Sequence, residues 1–354
     1  MNILIAADSF KGSCSARQVT DTIERAAKNV IPDVTITKIP VADGGEGTVD
    51  ALVAAMNGTK VAVPAHDPLG RPITAEYGLL PDGSAVIETA AASGLTLLKP
   101  EERDALHAST FGTGELIRHA LEHRVKKIIL GLGGSATTDG GAGLAGALGI
   151  SFLDKDGKEL EPGGVHLREL ASISTDGLLR EAAGCEFLVA CDVKNHLCGA
   201  LGAAAVFGPQ KGADEEQVKI LDAALAHYAA VLKDKLHCAA ADTDGSGAAG
   251  GLLCGILPYF PVTICSGIDL VLDLTDFDEH VKQADLVITG EGRIDFQSAL
   301  GKSSCRCRGT CKKMSGMFRW LPSPGRKATD AKRFIISGSM RSSTRFRASC
   351  RWRM

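Results

Sequence analysis

The feature that most constrains this chain is a glycine-rich stretch at residues 126–150, KKIILGLGGSATTDGGAGLAGALGI. Its apolar start, residues 128–132, predicts a buried parallel strand, and residues 142–148 predict a helix. A strand that leads through a glycine-rich turn into a helix can bind a phosphate. Backbone N–H groups converge there, and the positive end of the helix dipole favours an anion. The alternative is that the glycines only allow strand and helix to pack closely.

Four other segments repeat this arrangement of a strand end followed by glycines, acids and hydroxyls. They lie at residues 8–12, 43–48, 192–195 and 289–295. The first two each separate a short apolar strand from a helical pattern, which predicts two β–loop–α units of a parallel sheet. Ligands of such sheets bind outside the carboxyl ends of the strands, so we expect Asp8, Lys11, Asp43 and Glu46 to face a ligand.

The pattern changes after residue 59, which predicts a domain boundary near residue 60. Three short strand patterns follow at residues 60–63, 73–79 and 84–88, and Asp82-Gly83 predicts a tight hairpin turn. This segment is therefore expected to be antiparallel. The fold class predicted from the residues is α/β, with parallel and antiparallel parts.

The charge of the chain is distributed very unevenly. Residues 303–354 hold fourteen Lys and Arg and one acid, Asp330, so residues 1–302 hold 25 bases and 41 acids. The acidic body argues against nucleic-acid binding.

With no basic leader and no apolar run long enough to span a membrane, a cytoplasmic protein is expected. The eleven cysteines fit neither a zinc ligand set nor a disulfide scaffold, which favours free thiols.

The basic segment, residues 303–354, has no steady period of 2 or 3.6 residues and contains both tryptophans. One interpretation is a basic tail for nucleic acid or an acidic partner. We favour the other, that this segment is an out-of-frame translation and not the native carboxyl terminus.

The five glycine-rich segments together suggest phosphoryl transfer. Backbone N–H groups and a Lys or Arg would hold phosphates, carboxylates would hold Mg²⁺, and one carboxylate would take a proton from the acceptor hydroxyl. The Walker sequence is absent, because Phe296 stands where the first glycine before Gly301-Lys302-Ser303 belongs. Residues 245–250 match G-x-G-x-x-G only formally, since no buried strand precedes them. The pattern therefore predicts a kinase without a P-loop.

Ten ordered motifs in residues 1–302 also carry a family resemblance. They are DSFKGS (8–13), ADGGEGT (42–48), DPLGR (67–71), ETAAASGL (88–95), STFGTGELI (109–117), GLGGSATTDGGAG (131–143), ACDV-N (190–195), FGPQKGA (207–213), GAAGG (247–251) and TGEGRID (289–295). The chain resembles the bacterial glycerate kinase family, the two-domain kind unrelated to P-loop kinases.

The resemblance implies two α/β domains, one inserted in the other. The first, residues 1–60 with 270–354, would be a Rossmann- or flavodoxin-like parallel-sheet domain, and the second, residues 61–269, would contain a mixed sheet. It also implies ATP-dependent phosphorylation of D-glycerate to 2-phosphoglycerate with Mg²⁺ in the interdomain cleft. The family continues after Gly301-Lys302 with helix, strand and helix, a pattern missing here.

The resemblance and the loop positions together suggest residue roles. The candidate catalytic residues are Asp192, Lys11, Arg293 and Asp295. The candidate substrate- and ATP-binding residues are Asp8, Ser9, Gly44, Gly45, Arg71, Ser93, Gly133, Gly134, Ser135 and Thr137. The candidate Mg²⁺ ligands are Asp43, Glu46 and Glu291. Asp192 is the favoured base, because it follows a buried strand and is expected to be partly desolvated.

Several alternatives stay open at this point. The chain could phosphorylate another small hydroxy acid, give 3-phosphoglycerate, or bind nucleotide without catalysis. No nucleic-acid or membrane partner is expected, and the protein would be a monomer or a homodimer.

Overall fold

Two sheets position the loops of interest, and the parallel strands of both run with their carboxyl ends toward those loops. The computed structural model describes residues 1–10, 13–42 and 44–290, and the backbone of residues 319–321 and 334–336. The strands are β1 (Asn2–Ala7), β2 (Thr35–Lys38), β3 (Thr59–His66), β4 (Pro72–Leu79), β5 (Ala85–Glu88), β6 (Lys127–Gly131), β7 (Ser151–Leu153), β8 (Ser172–Ser174), β9 (Glu186–Ala190), β10 (Val262–Cys265), β11 (Leu286–Gly290), β12 (Arg319–Leu321) and β13 (Phe334–Ile336). The helices are α1 (Ala16–Val30), α2 (Thr48–Met56), α3 (Ala90–Ser93), α4 (Phe111–Glu122), α5 (Ala142–Ala147), α6 (Ala203–Phe207), α7 (Glu215–Leu236), α8 (Gly267–Leu274) and α9 (Phe277–Gln283).

The smaller sheet has the order β11-β1-β2 and is parallel throughout. Its central strand β1 is buried from Ile3 to Ala7, which explains why it reads as a continuous apolar run and not as an alternation. Ile5 pairs with Ile288 of β11, so the strand from near the carboxyl end of the described chain lies beside the first strand.

The larger sheet has the order β10-β9-β6-β5-β4-β3. The four strands from β10 to β5 are parallel, and β4 and β3 add antiparallel to the β5 edge. β6 is buried on both faces, whereas β3 alternates exposed and buried residues near its end, as expected where one face meets solvent. The predicted fold class, α/β with parallel and mixed sheets, is confirmed.

One hydrophobic cluster links the two sheets. Leu4 of β1 lies in the same buried cluster as Val86 of β5, Ile129 of β6 and Ala190 of β9, and Leu52 of α2 belongs to it too. The carboxyl ends of both sheets are therefore held close to each other by apolar packing. The division into domains at residues 60 and 270 stays a prediction.

The sequence predicts a capping box at the start of each long helix, from Ser15 with Gln18 and from Asp214 with Gln217. Ser15 caps α1 and bonds reciprocally with Gln18, and Asp214 caps α7 with Gln217 in the same way. In α7 the apolar stripe is buried at Leu221, Leu225, Tyr228 and Leu232, while Val218 is half-buried.

The basic segment lies mostly outside the described residues. Its described parts are β12 and β13, which pair in parallel. The prediction that residues 303–354 are an out-of-frame translation stays a prediction. Within the described ranges, no helix combines the length and apolar character that crossing a bilayer requires.

Candidate active site

Two glycine-rich loops meet where the carboxyl ends of the sheets come together. The loop after β2 lies directly on the loop after β6, and the N–H of Gly133 points to the carbonyl oxygen of Gly44 at 3.4 Å. A Cβ atom on Gly133 would lie 2.6 Å from the Cα of Gly45, and one on Gly131 would lie 2.5 Å from the oxygen of Gly44. Real Cβ atoms do not approach backbone so closely, so this crossing requires glycine. The glycines do serve close packing, but between two loops and not between a strand and its helix.

The positive end of α5 is already occupied by a carboxylate of the protein. Asp139 is completely buried and accepts hydrogen bonds from the N–H groups of Gly141 and Gly143 at 3.2 Å each. It also accepts from the N–H and the hydroxyl of Thr110, at 2.7 and 2.8 Å. Burial raises the pKa of Asp139, and these hydrogen bonds oppose that rise. Asp139 therefore occupies the amino-terminal end of α5, and phosphate binding by residues 133–137 of the same loop stays a prediction.

The accessible part of the same loop is Gly133 and Gly134, whereas Ser135 is buried. Gly134 is exposed and has φ +79°, and its N–H and that of Ser135 have no acceptor among the residues that the structure describes. Next to them, the N–H of Ala136 is bonded to the carbonyl oxygen of Ser93 at 2.8 Å. Adjacent N–H groups that are left without acceptors in a glycine-rich turn can bind an anion.

Two of the predicted ATP contacts lie behind this accessible turn. Thr137 is completely buried, and its hydroxyl has no hydrogen-bond partner in the described part of the chain. The Ser93 side chain is also buried and shares a 2.7 Å hydrogen bond with the Thr113 hydroxyl. Contact of either side chain with a nucleotide stays a prediction.

A cavity of about 640 Å³ opens beside the loop after β2. It lies between the loop that precedes α1, the start of α2, strand β4 and the end of β5. Asp8, Ser9 and Glu46, which the sequence places among the candidates, line this cavity, and Glu88 lines it too. The structure thus brings these carboxylates to one cavity, although they come from two loops and the end of a strand.

Glu88 is a residue that the sequence analysis did not select. It ends β5, is 9% exposed, and accepts a 2.7 Å hydrogen bond from the N–H of Val49 in the first turn of α2. Desolvation raises its pKa to about 7, against hydrogen bonds from Val49 and Gly47. A carboxyl that titrates near neutral pH can take up or release a proton. The sequence feature that could have identified Glu88 is an acid at the last position of a buried strand, at the carboxyl edge of the sheet.

Asp192 lies two residues beyond the end of β9. It is exposed, so the expectation of partial desolvation is wrong, because the chain leaves the sheet before reaching it. One of its carboxylate oxygens accepts a hydrogen bond from the N–H of Gly267 at the start of α8, at 3.1 Å. Its role as a base stays a prediction.

Arg71 is half-exposed, and its guanidinium is engaged by side chains of its surroundings. It contacts Asp67 at 2.5 Å and Glu102 at 2.9 Å, and these carboxylates raise the pKa of Arg71. These ion pairs connect the loop between β3 and β4 within itself, through Asp67, and to the segment that contains Glu102. A contact with substrate stays a prediction.

The remaining candidates, Lys11, Asp43, Glu291, Arg293 and Asp295, lie outside the described residues. Among the residues that are described, no group of three or more His, Cys, Asp or Glu could hold a metal ion.

An α/β fold in which glycine-rich loops and carboxylates meet at the carboxyl ends of two sheets is typical of a protein that binds a small molecule at that edge. The glycerate kinase family model matches residues 3–317. This chain belongs to the glycerate kinase family, so the resemblance seen in the sequence is confirmed.

Characterised relatives agree with this assignment. The chain is 49% identical over 304 residues to a glycerate kinase of Bacillus subtilis, covering 86% of this chain and 80% of the relative. It is 46% identical over 303 residues to a glycerate 2-kinase of Escherichia coli, covering 85% and 80%. A crystal structure of a protein assigned as glycerate kinase 2 from Salmonella typhimurium LT2 superposes with a TM-score of 0.86 at 44% identity, covering 95% of this chain and 90% of that one.

Proposed function

We propose that this protein catalyses the ATP-dependent phosphorylation of D-glycerate to 2-phosphoglycerate with Mg²⁺. The observation that carries the proposal is the contact between the loop at residues 133–135 and the loop at residues 44–47. The first offers N–H groups to phosphate, and the second leads into a cavity lined by carboxylates. The name of the Escherichia coli relative, glycerate 2-kinase, supports the 2-position as acceptor.

The N–H groups of Gly134 and Ser135 would bind phosphate oxygens of ATP. Both are without an acceptor among the described residues, and the turn that presents them is held against Gly44 and Gly45. Hydrogen bonds from a fixed backbone stabilise charge on a transferring phosphoryl group without reorganisation during the reaction.

Asp8 and Glu46 are the described carboxylates best placed to hold Mg²⁺, and Asp43 and Glu291 are added from the sequence. The fit is sound because Mg²⁺ keeps several waters and usually takes one or two protein carboxylates plus substrate phosphates. When bound, it would neutralise charge on the phosphates.

The reacting hydroxyl of glycerate would attack the γ-phosphorus of ATP. A bond forms between the glycerate oxygen and the γ-phosphorus, and the bond from that phosphorus to the leaving ADP oxygen breaks. The hydroxyl proton passes to a carboxylate, and we propose Asp192 as this base. Lys11 and Arg293 would pair with a phosphate or with the glycerate carboxylate, Arg being suited to bidentate contact. Asp295 would complete the catalytic set as a further metal ligand or base.

The test is an ADP-release assay with Mg·ATP and D-glycerate, followed by ³¹P NMR of the product. We expect ADP release that depends on D-glycerate and a phosphorus signal on the 2-oxygen. Glycolate and lactate in place of glycerate distinguish a kinase for another hydroxy acid. ATP binding without turnover on any of these acids would contradict the proposal and favour a non-catalytic nucleotide-binding protein.

A further inference from the structure

A buried lysine lies directly behind the phosphate-binding loop. Lys211 ends a short turn at residues 209–211, is only 2% exposed, and donates a hydrogen bond from Nζ to the carbonyl oxygen of Thr137 at 2.5 Å. The two residues are far apart in the sequence, and both fall in motifs that the sequence analysis singled out. The reaction outlined above assigns Lys211 no role.

Burying an amine in the protein interior costs free energy. We therefore expect a buried lysine only where it has a role that an apolar side chain cannot fill. Desolvation lowers the pKa of Lys211 to about 7, and the negative charge of Asp139 opposes that fall. A methionine could fill the same space without this cost, since unpaired buried polar groups are destabilising. The amine does pair with the Thr137 carbonyl, which Gly250 also approaches so closely that a Cβ there would lie 2.0 Å from the oxygen.

The rest of the loop is fixed from behind at neighbouring positions. Ala136 is bonded to Ser93, Asp139 is bonded to Thr110, and the N–H of Gly140 donates to the carbonyl oxygen of Gly250 at 3.0 Å. These bonds hold the loop to three other segments of the chain.

The N–H groups of the loop that these bonds do not involve lie at its front. Within the described residues, the N–H groups of Gly134 and Ser135 have no acceptor, and Gly134 is exposed. Lys211 fixes the peptide only two residues beyond Ser135. The peptide that carries the Ser135 N–H is also held through the Gly134 carbonyl oxygen, which accepts a hydrogen bond from the N–H of Leu95 at 2.9 Å. Without the Lys211 bond, the loop around this peptide would be less firmly held.

We propose that Lys211 is a positioning residue for the nucleotide phosphates. By holding the Thr137 carbonyl behind the loop, it sets the direction of the Gly134 and Ser135 N–H groups toward the phosphates of ATP. This inference rests on the proposed function, because it names the part of the chain that prepares the loop for ATP. Lys211 itself does not touch the substrate.

The test compares Lys211→Met, which removes the donor at similar length, with Leu232→Ala as a matched control. Leu232 is completely buried in the core along α7, so its truncation lowers stability without touching the loop. Nucleotide affinity is measured by calorimetry with the non-hydrolysed analogue AMP-PNP and Mg²⁺, and KM is measured for ATP and for D-glycerate. Hydrogen exchange of the peptide covering residues 133–139 is followed by mass spectrometry without ligand.

For Lys211→Met we expect at least a tenfold loss of nucleotide affinity and a matching rise in KM for ATP, with KM for glycerate within twofold of the wild type. Exchange over residues 133–139 should become faster. Leu232→Ala should lower the melting temperature and leave all three loop readouts unchanged. If Lys211→Met does not fold, Lys211→Gln, which keeps an N–H donor on a shorter side chain, should show the same changes in smaller size.

Unchanged nucleotide affinity in both Lys211 variants, while the wild type binds AMP-PNP, would overturn this inference and leave the proposed function intact. Equal rises of KM for ATP and for glycerate would also overturn it, because they indicate a general loss of structure. A wild type that does not bind AMP-PNP would overturn both proposals.

Discussion

Replacing Glu88 by glutamine isolates the free-energy cost of holding a carboxylate in the wall of the cavity. Glu88 is 9% exposed, and desolvation raises its pKa from the ordinary 4.5 to about 7. Glutamine keeps an oxygen that can accept from the Val49 N–H, and it resembles the protonated acid in shape. The variant therefore removes the ionisation and little else.

The direction of the effect follows from where the proton is bound. Between pH 4.5 and 7 the folded state holds the Glu88 proton and the unfolded state releases it, so rising pH favours unfolding. With the two pKa values above, wild-type stability should fall by about 2.5 kcal/mol between pH 5 and pH 8 through this group alone. Glu88→Gln lacks that contribution.

The assay is urea unfolding of both proteins at pH 5, 6, 7 and 8, without nucleotide. We expect the free energy of unfolding of Glu88→Gln minus that of the wild type to become more positive by about 2 to 3 kcal/mol across this range. Glu76→Gln removes a half-exposed acid that lines the same cavity and serves as the charge control. Parallel pH profiles for the wild type and Glu88→Gln would refute the reasoning, since the carboxyl would then not be desolvated as the structure places it.

Four further predictions concern the proposed reaction. Gly133→Ala should abolish turnover, because its Cβ would lie 2.6 Å from the Cα of Gly45, whereas Gly146→Ala, with nothing within 4 Å, should keep full activity in the same assay. Asp192→Asn should lower kcat by about 100-fold or more if Asp192 takes the proton, and near-normal turnover would remove that assignment. Chelation of Mg²⁺ should stop ADP release. Glu46→Gln should raise the Mg²⁺ concentration needed for half-maximal rate, and an unchanged requirement would exclude Glu46 as a ligand.

The sequence alone determined most of the secondary structure and the fold class. The run before Gly131 predicted β6, and the short strand patterns after residue 59 predicted the antiparallel strands. The capping boxes at Ser15 and Asp214 predicted where α1 and α7 begin. These features depend on residues a few positions apart, and periodicity and caps act over that distance. The loops expected at the carboxyl ends of strands were found there for the same reason.

The tertiary structure alone decided which groups in those loops meet. Gly133 lies on Gly44, Asp139 accepts from the N–H of Thr110, and Glu88 accepts from the N–H of Val49 in α2. All three are contacts between segments distant in sequence. Spacing along the chain does not encode such distances, because they follow from how the two sheets pack through their shared apolar cluster. For the same reason, the residue type and strand position of Asp192 suggested a buried base, while the path of the chain beyond β9 leaves it exposed.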